Sequence, residues 1–511
     1  MADSQRPSNT EGSENNSVAR GGGGSGGGGR SGGGGVRRGS VDFREGTPWK
    51  KILKFSVPIL LGNFFQQLYN MTDTIIVGRG VGHIGMAAVG LSGPLLRLLI
   101  AIFMGVSQGA TILVGQYFGA RDEKAVRQTL HTAIFLALIV GGGLSVVGYI
   151  YSPFVLRLLN TPDDLFVLAL AYMRISYCGV VFQMLYNMSA GFMRGIGNSR
   201  TPVYTLVLSS AINAILTYIF VFHMDLSVAG SALGTIIAQA VSCVVLLSRL
   251  HKENPMTRIS FKELRITPPV AKEIVTLGFP SAIQQGAMSI GGVVIQGFLN
   301  SYGTVNIAGY VAAMRVDSFA GMPIQAFNMA MTSYTAQNVG AGRMDRVESG
   351  VKQGFLLSVS LTAVMATLLL IYGRYPLMLF TDNEPTILAA LTMMRIVVPF
   401  YLLNAINQPM GGVMRGAGET VIPMTNALMQ TLGIRIPLIY VLNYFLKDVK
   451  AVYWSQVGGQ LYGFIALQII YRKGNWKKKA FARIESLYGS ADGPRNGEAA
   501  EDSDEIELSI E

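Results

Sequence analysis

Charge is scarce in this chain. Asp, Glu, Lys and Arg together make up 14% of its 511 residues, against about 25% in an ordinary soluble domain. A soluble chain of this length needs far more polar surface. Cysteine is scarcer still. Cys178 and Cys243 both lie in apolar stretches, so they read as buried thiols and leave no disulfide framework. Four scattered histidines show no metal-ligand spacing, and no HExxH, paired aspartates or nucleophile motif falls inside an apolar run. An intramembrane enzyme is set aside on that ground. The N-terminal stretch has no apolar core of the kind a secretory signal carries.

Hydrophobic residues are abundant, at half the chain, with a mean hydropathy of +0.39 and many Gly, Met and Phe. That mixture suits helices packed closely in lipid. A bilayer core of about 30 Å takes about 20 helical residues. Twelve apolar runs of that order are present, near 54–78, 86–114, 128–151, 165–192, 202–223, 228–250, 272–299, 305–335, 350–372, 386–412, 421–445 and 451–472. Residues 1–46 include the runs Gly21–Gly24 and Gly26–Gly29 and read as a disordered tail. Residues 47–250 form a first half, 251–271 a linker and 272–475 a second half. Residues 476–511 form another tail, acidic at its end.

The net charge of +11 comes from 41 Lys and Arg against 30 Asp and Glu. It collects in short loops after the even-numbered runs: Arg121, Lys124 and Arg127, then Arg194 and Arg200, then Lys252 to Lys272, then Arg343, Arg346 and Lys352, then Arg472 to Lys479. This is a topology bias rather than a nucleic-acid face, and it puts both termini in the cytoplasm of an inner-membrane protein.

The halves repeat. Met193-Arg194-Gly195-Ile196-Gly197 recurs 221 residues later as Met414-Arg415-Gly416-Ala417-Gly418. The same shift carries Gln116 to Gln337, Gly119-Ala120 to Gly340-Ala341 and Gln239 to Gln460. Six helices per repeat give both halves one orientation, so a pseudo-two-fold axis runs along the membrane normal. The fold class is an all-α polytopic membrane protein: twelve transmembrane helices in two six-helix bundles. A cleft between equivalent bundles suits alternating access.

Polar residues inside the runs are the candidate site. Asn63, Gln67, Asn70 and Thr74 share one helix face. Asp73 lies beside them, either as a cation ligand or as an interfacial acid near Arg79. Gln183 and Asn187 recur as Asn404 and Gln408. These pairs either line the cleft, beside flexible Met, or bond helix to helix. Asp317 either attracts a cationic substrate, or relays coupling, or is a structural charge compensated by Arg315 or another helix. In the second half the first stripe becomes Gln285, Ser289, Gly292 and Gln296, and Asp73 becomes Ile295.

The stretches Ala87-Ala88-Val89-Gly90, Gly115-Gln116-Tyr117-Phe118-Gly119-Ala120, Met193 to Asn198, Val228 to Thr235, and Arg315-Val316-Asp317-Ser318-Phe319 with Met322-Pro323 resemble the multidrug and toxic compound extrusion (MATE) family from about residue 50 to 475. The resemblance implies a V-shaped antiporter, functional as a monomer, that exports amphipathic, often cationic small molecules. Inward Na⁺ or H⁺ would drive it, with no other cofactor and no partner besides membrane lipid. It also implies a first-bundle cation site at Asp73, Asn213, Thr217 and Thr235. Thr217 replaces an acid usual in the family, which leans the site towards Na⁺. The equivalents Ile434 and Leu438 leave the second bundle without such a site. A lipid-linked oligosaccharide or polysaccharide flippase is the alternative; it predicts a strongly cationic central cavity.

Overall fold

The computed structural model describes residues 40–158 and 161–488. The Gly-rich run and the acidic end lie outside them. The long helical stretch Pro48–Gly119 breaks at Gly82, whose φ of +74° only glycine adopts readily. Its arms, 48–81 and 83–119, are α1 and α2. There follow α3 (Glu123–Leu158), α4 (Asp163–Gly195), α5 (Arg200–Phe222), α6 (Ser227–Glu253), α7 (Pro268–Asn300), α8 (Thr304–Gly340) and α9 (Met344–Tyr372). Next come α10 (Glu384–Gly416), which passes through a tight turn at Pro399, and α11 (421–446), which holds the π-turn Met429–Arg435. The last two are α12 (Lys450–Arg472) and α13 (Asn475–Tyr488). α1–α6 and α7–α12 are the two bundles of a twelve-span membrane fold. Six of these helices are individually long and apolar enough to cross a membrane. Their outward residues, such as Val146, Ile150 and Phe154 on α3, are exposed, while Thr132, Ala133 and Ala137 turn inward. That is the pattern expected where lipid is the solvent.

The repeated glycines are helix stops. Gly197 and Gly418 take φ of +87° and +91°. Asn198 N–H bonds Met193 C=O at 2.8 Å, and Glu419 N–H bonds Met414 C=O at 2.9 Å. This is the left-handed C-terminal stop that satisfies the last carbonyls of a helix. Asn198 Oδ1 then accepts from Arg200 and Thr201 N–H, and Glu419 Oε1 from Val421 and Ile422 N–H. One motif closes α4 and α10 and opens α5 and α11.

The bundles press together at the end carrying the basic loops. A Cβ on Gly109 would lie 2.1 Å from Ile274 O, and one on Gly105 2.8 Å from Gly278 O, so α2 and α7 touch through backbone. Towards the other end, the Cβ positions of Gly90, Gly93, Gly286, Gly292, Gly297 and Gly321 have no neighbour within 4 Å. The bundles make no such backbone contact at these positions. α1 and α8 meet part-way up, where Gln67 Nε2 donates to Ser318 Oγ at 2.8 Å and Phe64 packs near Phe319.

Three sequence readings need correction. Residues 40–46 are folded: Val41 and Phe43 are buried. Arg44 grips Asp42 at 2.8 Å. Burial alone would raise the Asp42 carboxyl, but the hydrogen bonds and charge of Arg44 hold it below its ordinary value. Residues 475–488 are likewise a docked helix with Trp476 and Ala480 buried, because its apolar face finds a cover on the second bundle. Cys178 is exposed on α4; only Cys243 is buried.

Gly109→Ala should lower the thermal midpoint in detergent, since overpacking at a backbone contact costs about 1–3 kcal/mol. Gly292→Ala, in open space, should leave it unchanged or raise it slightly through helix propensity. Equal midpoints for the two variants would contradict this account of the cleft.

Candidate cation and substrate sites

α1, α5 and α6 bring the first-bundle candidates together. Asp73 is partly buried on α1, and its Oδ1 accepts from Ser231 Oγ on α6 at 3.4 Å, a long bond. One turn further along α6, Thr235 Oγ1 accepts from Asn213 Nδ2 of α5 at 3.0 Å. Thr217, a turn beyond Asn213, is fully buried against Gly234, and its Oγ1 has no partner among the described residues. Tyr69 on α1 reaches Thr235, and Tyr69 and Tyr172 both lie within electrostatic reach of the Asp73 carboxylate. Asp73 makes no described hydrogen bond to Asn213, Thr217 or Thr235. Ser231 contacts Asp73 and Tyr69 contacts Thr235, and the sequence reading missed both. Ser231 stands one turn before Thr235, which is the signal that would have found it.

This group offers a carboxylate, the unused Asn213 carbonyl and the hydroxyls of Thr217, Ser231 and Thr235. Hard oxygens with one formal charge fit an alkali cation, or a proton on the carboxylate. Among the described residues no three His, Cys, Asp or Glu gather as a metal cluster. Thr217 Oγ1 is one of several buried hydroxyl oxygens without a partner among the described residues.

Beside this group lies a cavity of about 460 Å³, into which Thr235, Tyr69, Asn70, Gln183 and Asn187 face, with Met104 and Ile100 among its apolar lining. Of the α1 stripe, Asn70 lines the cavity. Gln67 turns to α8 instead, and the Asn63 amide nitrogen is buried without a partner. The second bundle has a counterpart of about 70 Å³, lined by Gln284, Asn407, Gln408, Gln430, Thr431 and Arg415. Asn407, Gln408, Gln430 and Thr431 are the 221-shift equivalents of Tyr186, Asn187, Ser209 and Ser210, which line the first cavity. Gln285 and Asn404 do not line it, whereas their near neighbours Gln284 and Gln408 do. Buried Arg415 occupies one side and donates to Asn328 Oδ1 at 2.6 Å.

Asp317 on α8 accepts a hydrogen bond from the Tyr401 hydroxyl of α10. The cation within its reach is Arg435, at the end of the α11 π-turn, which also donates to Gln456 Oε1 at 2.9 Å. Arg315 is exposed and lies over the Phe380 ring. Asp317 is therefore compensated from another helix, as helical geometry requires for residues two apart. Arg435 escaped the sequence reading, though a lone charge in an apolar run was its signal. The π-turn adds a residue to the local turn and carries Gln430, Thr431 and Arg435.

Two like-oriented bundles with polar cavities inside them are the architecture of a polytopic membrane transporter. The MatE family model matches residues 58–219 and again 280–441, one match in each half. The chain belongs to the MATE family, whose members are multi-pass membrane transporters rather than enzymes. It is 29% identical over 446 residues to the probable multidrug resistance protein YoeA of Bacillus subtilis strain 168, covering 85% of this chain and 96% of that one. It is 24% identical to the probable multidrug resistance protein NorM of Thermotoga maritima, covering 86% and 95%. A solved outward-facing multidrug resistance MATE family transporter superposes with a TM-score of 0.79 at 22% identity, covering 88% of this chain and 98% of that one.

Tyr401→Phe removes the hydroxyl donor of Asp317. Hydrogen bonds to charged groups contribute about 1.5–3 kcal/mol, so its thermal midpoint in detergent should fall. Tyr440→Phe, at an exposed ring, should not lower it; equal loss in both would refute a specific Tyr401–Asp317 contribution.

Proposed function

We propose that the chain is a cation-coupled antiporter that exports amphipathic, often cationic compounds by alternating access. The observation that carries this reading is the large first-bundle cavity abutting the Asp73 group. The cavity walls combine Tyr, Met and neutral amides, which accept varied shapes without fixing one hydrogen-bond pattern. Asp73 supplies the negative charge close by. The names of the relatives support multidrug substrates.

The chemistry follows from one carboxylate serving two cations. When the Asp73 group holds its coupling cation, the local charge is neutralised and attraction for a cationic substrate falls. When it is vacated, the carboxylate draws the substrate into the cavity. Neutral oxygens of Asn213, Thr217, Thr235 and Ser231 favour Na⁺ as the coupling ion; a proton would need only Asp73. The second-bundle acid, Asp317, is balanced by Arg435 and gives structural compensation in place of a second ion site. The basic loops support a cytoplasmic closed end, with both termini on that side of the cytoplasmic membrane. A monomer contains the whole cleft, and membrane lipid is its surrounding partner.

The flippase reading draws on buried Arg415 and Arg435 in the second bundle, which add positive charge there. It ranks second because the larger cavity, about 460 Å³, lies beside the acid.

Ethidium efflux from proteoliposomes, with Na⁺ and proton gradients imposed separately, tests the proposal. Wild type should respond to one gradient, and Asp73→Asn should abolish the response while remaining folded. Under Na⁺ coupling, Thr217→Val should raise half-saturating Na⁺ by about tenfold or more; under proton coupling it should change little. Gradient-independent or absent efflux by folded wild type would sink coupled ethidium export and favour the flippase.

A further inference from the structure

The basic-end closure is built from two exchanged glutamines. Gln116 Nε2 on α2 donates to Gly416 O of the second bundle at 3.0 Å. Gln337 Nε2 on α8 donates to Gly195 O of the first bundle at 2.7 Å. The bonds are equivalent under the 221-residue shift, and both glutamines are buried. The main chains touch beside them: a Cβ on Gly340 would lie 1.9 Å from Gln116 O, and one on Gly119 2.1 Å from Gln337 O.

Each buried glutamine still has a carbonyl oxygen to satisfy, and the two ends of the described chain supply the donors. Phe43 N–H donates to Gln337 Oε1 at 3.2 Å. Arg483 Nε of α13 donates to Gln116 Oε1 at 2.8 Å. Both segments straddle the bundles. From 40–46, Val41 N–H bonds Gly197 O of the first bundle at 2.8 Å, while Phe43 packs on Tyr334 of the second and its C=O accepts from Arg346. From α13, Arg483 joins Glu273 of α7 at 2.6 Å and its guanidinium covers the Tyr117 ring of α2. Lys477 and Lys479 pair with Glu348 and Glu419 of the second bundle.

We propose that residues 40–46 and α13 are paired straps that lock the basic-end gate, with Gln116 and Gln337 as the gate residues of the transport cycle. The inference rests on the alternating-access reading. For this end to open, both glutamines must leave the opposite bundle and each strap must release one bundle. The straps thereby set the population of the closed state, separately from the ion and substrate groups deeper in the first bundle. They differ in chemistry. The N-terminal strap holds by a buried aromatic. The C-terminal strap is anchored on the second bundle by buried Trp476 and Ala480 and by ion pairs, and it reaches the first bundle through Arg483.

Double electron–electron resonance on the full chain in nanodiscs tests this. Spin labels go on Lys124→Cys and Lys352→Cys, exposed residues at the basic end of α3 and α9, in a Cys178→Ser, Cys243→Ala background. Gln116→Ala, Gln337→Ala, Phe43→Ala and Arg483→Ala should each raise the long-distance fraction, relative to the short one, by about fivefold. Ethidium affinity should change by no more than that population shift of about fivefold, since ligand contacts are untouched. Phe43 is fully buried, so Arg483→Ala, at a partly exposed side chain, stands in if Phe43→Ala misfolds. Wild type that moves with ion or ethidium, while every folded variant keeps the wild-type distribution, would overturn the lock. Wild type that no ion, gradient or ethidium moves would instead overturn alternating access, and the lock with it.

Discussion

Where α2 crosses α8 the two bundles meet through backbone. Gly119 and Gly340 let each main chain approach the carbonyl of the opposing glutamine, and any side chain there would collide. Gln116 and Gln337 then carry a hydrogen bond into the opposite bundle. The closed end of the cleft and the docking of both terminal segments hang on this crossing. It is dry and polar together, so its groups must be satisfied by protein.

Membrane helices gain little from hydrophobic contact with one another, because lipid is as apolar as leucine. Close glycine contacts and buried hydrogen bonds carry the specificity instead. The first bundle keeps a large cavity with a single acid beside it. In the second, Arg415 and a ring of amides fill the equivalent space, and Arg435 balances Asp317. Duplication gave equal frames, and side-chain substitution made one permissive and the other packed. The asymmetry fits a transporter that handles ion and substrate in one bundle and uses the other as its rocking counterpart.

The resemblance to the family, more than residue type and spacing, pointed to the first-bundle group. Asn213 and Thr217 one turn apart on α5, and Thr235 on α6, do converge, because helical periodicity fixes which side chains share a face. The α1 stripe was less legible. Asn70 lines the cavity while Gln67 points to α8, since one helix face at a bundle boundary serves two neighbours. Gln285 missed the second cavity by a position and Asn404 by about a helical turn. At that resolution the register between helices, absent from a single sequence, decides the outcome.

The sequence by itself determined the membrane environment, twelve apolar runs, the duplication and the helix stops. Each follows from local composition or from glycine at positive φ, and none needs a distant partner. Tertiary structure decided which polar groups meet. It set the Tyr401 hydroxyl against Asp317, with Arg435 rather than Arg315 in electrostatic reach, placed Ser231 against Asp73, and folded residues 40–46 and 475–488 onto the gate. Those segments are short and polar enough to read as tails. Only the buried glutamine carbonyls and the apolar pocket around Phe43, assembled from helices hundreds of residues apart, give them a reason to be ordered.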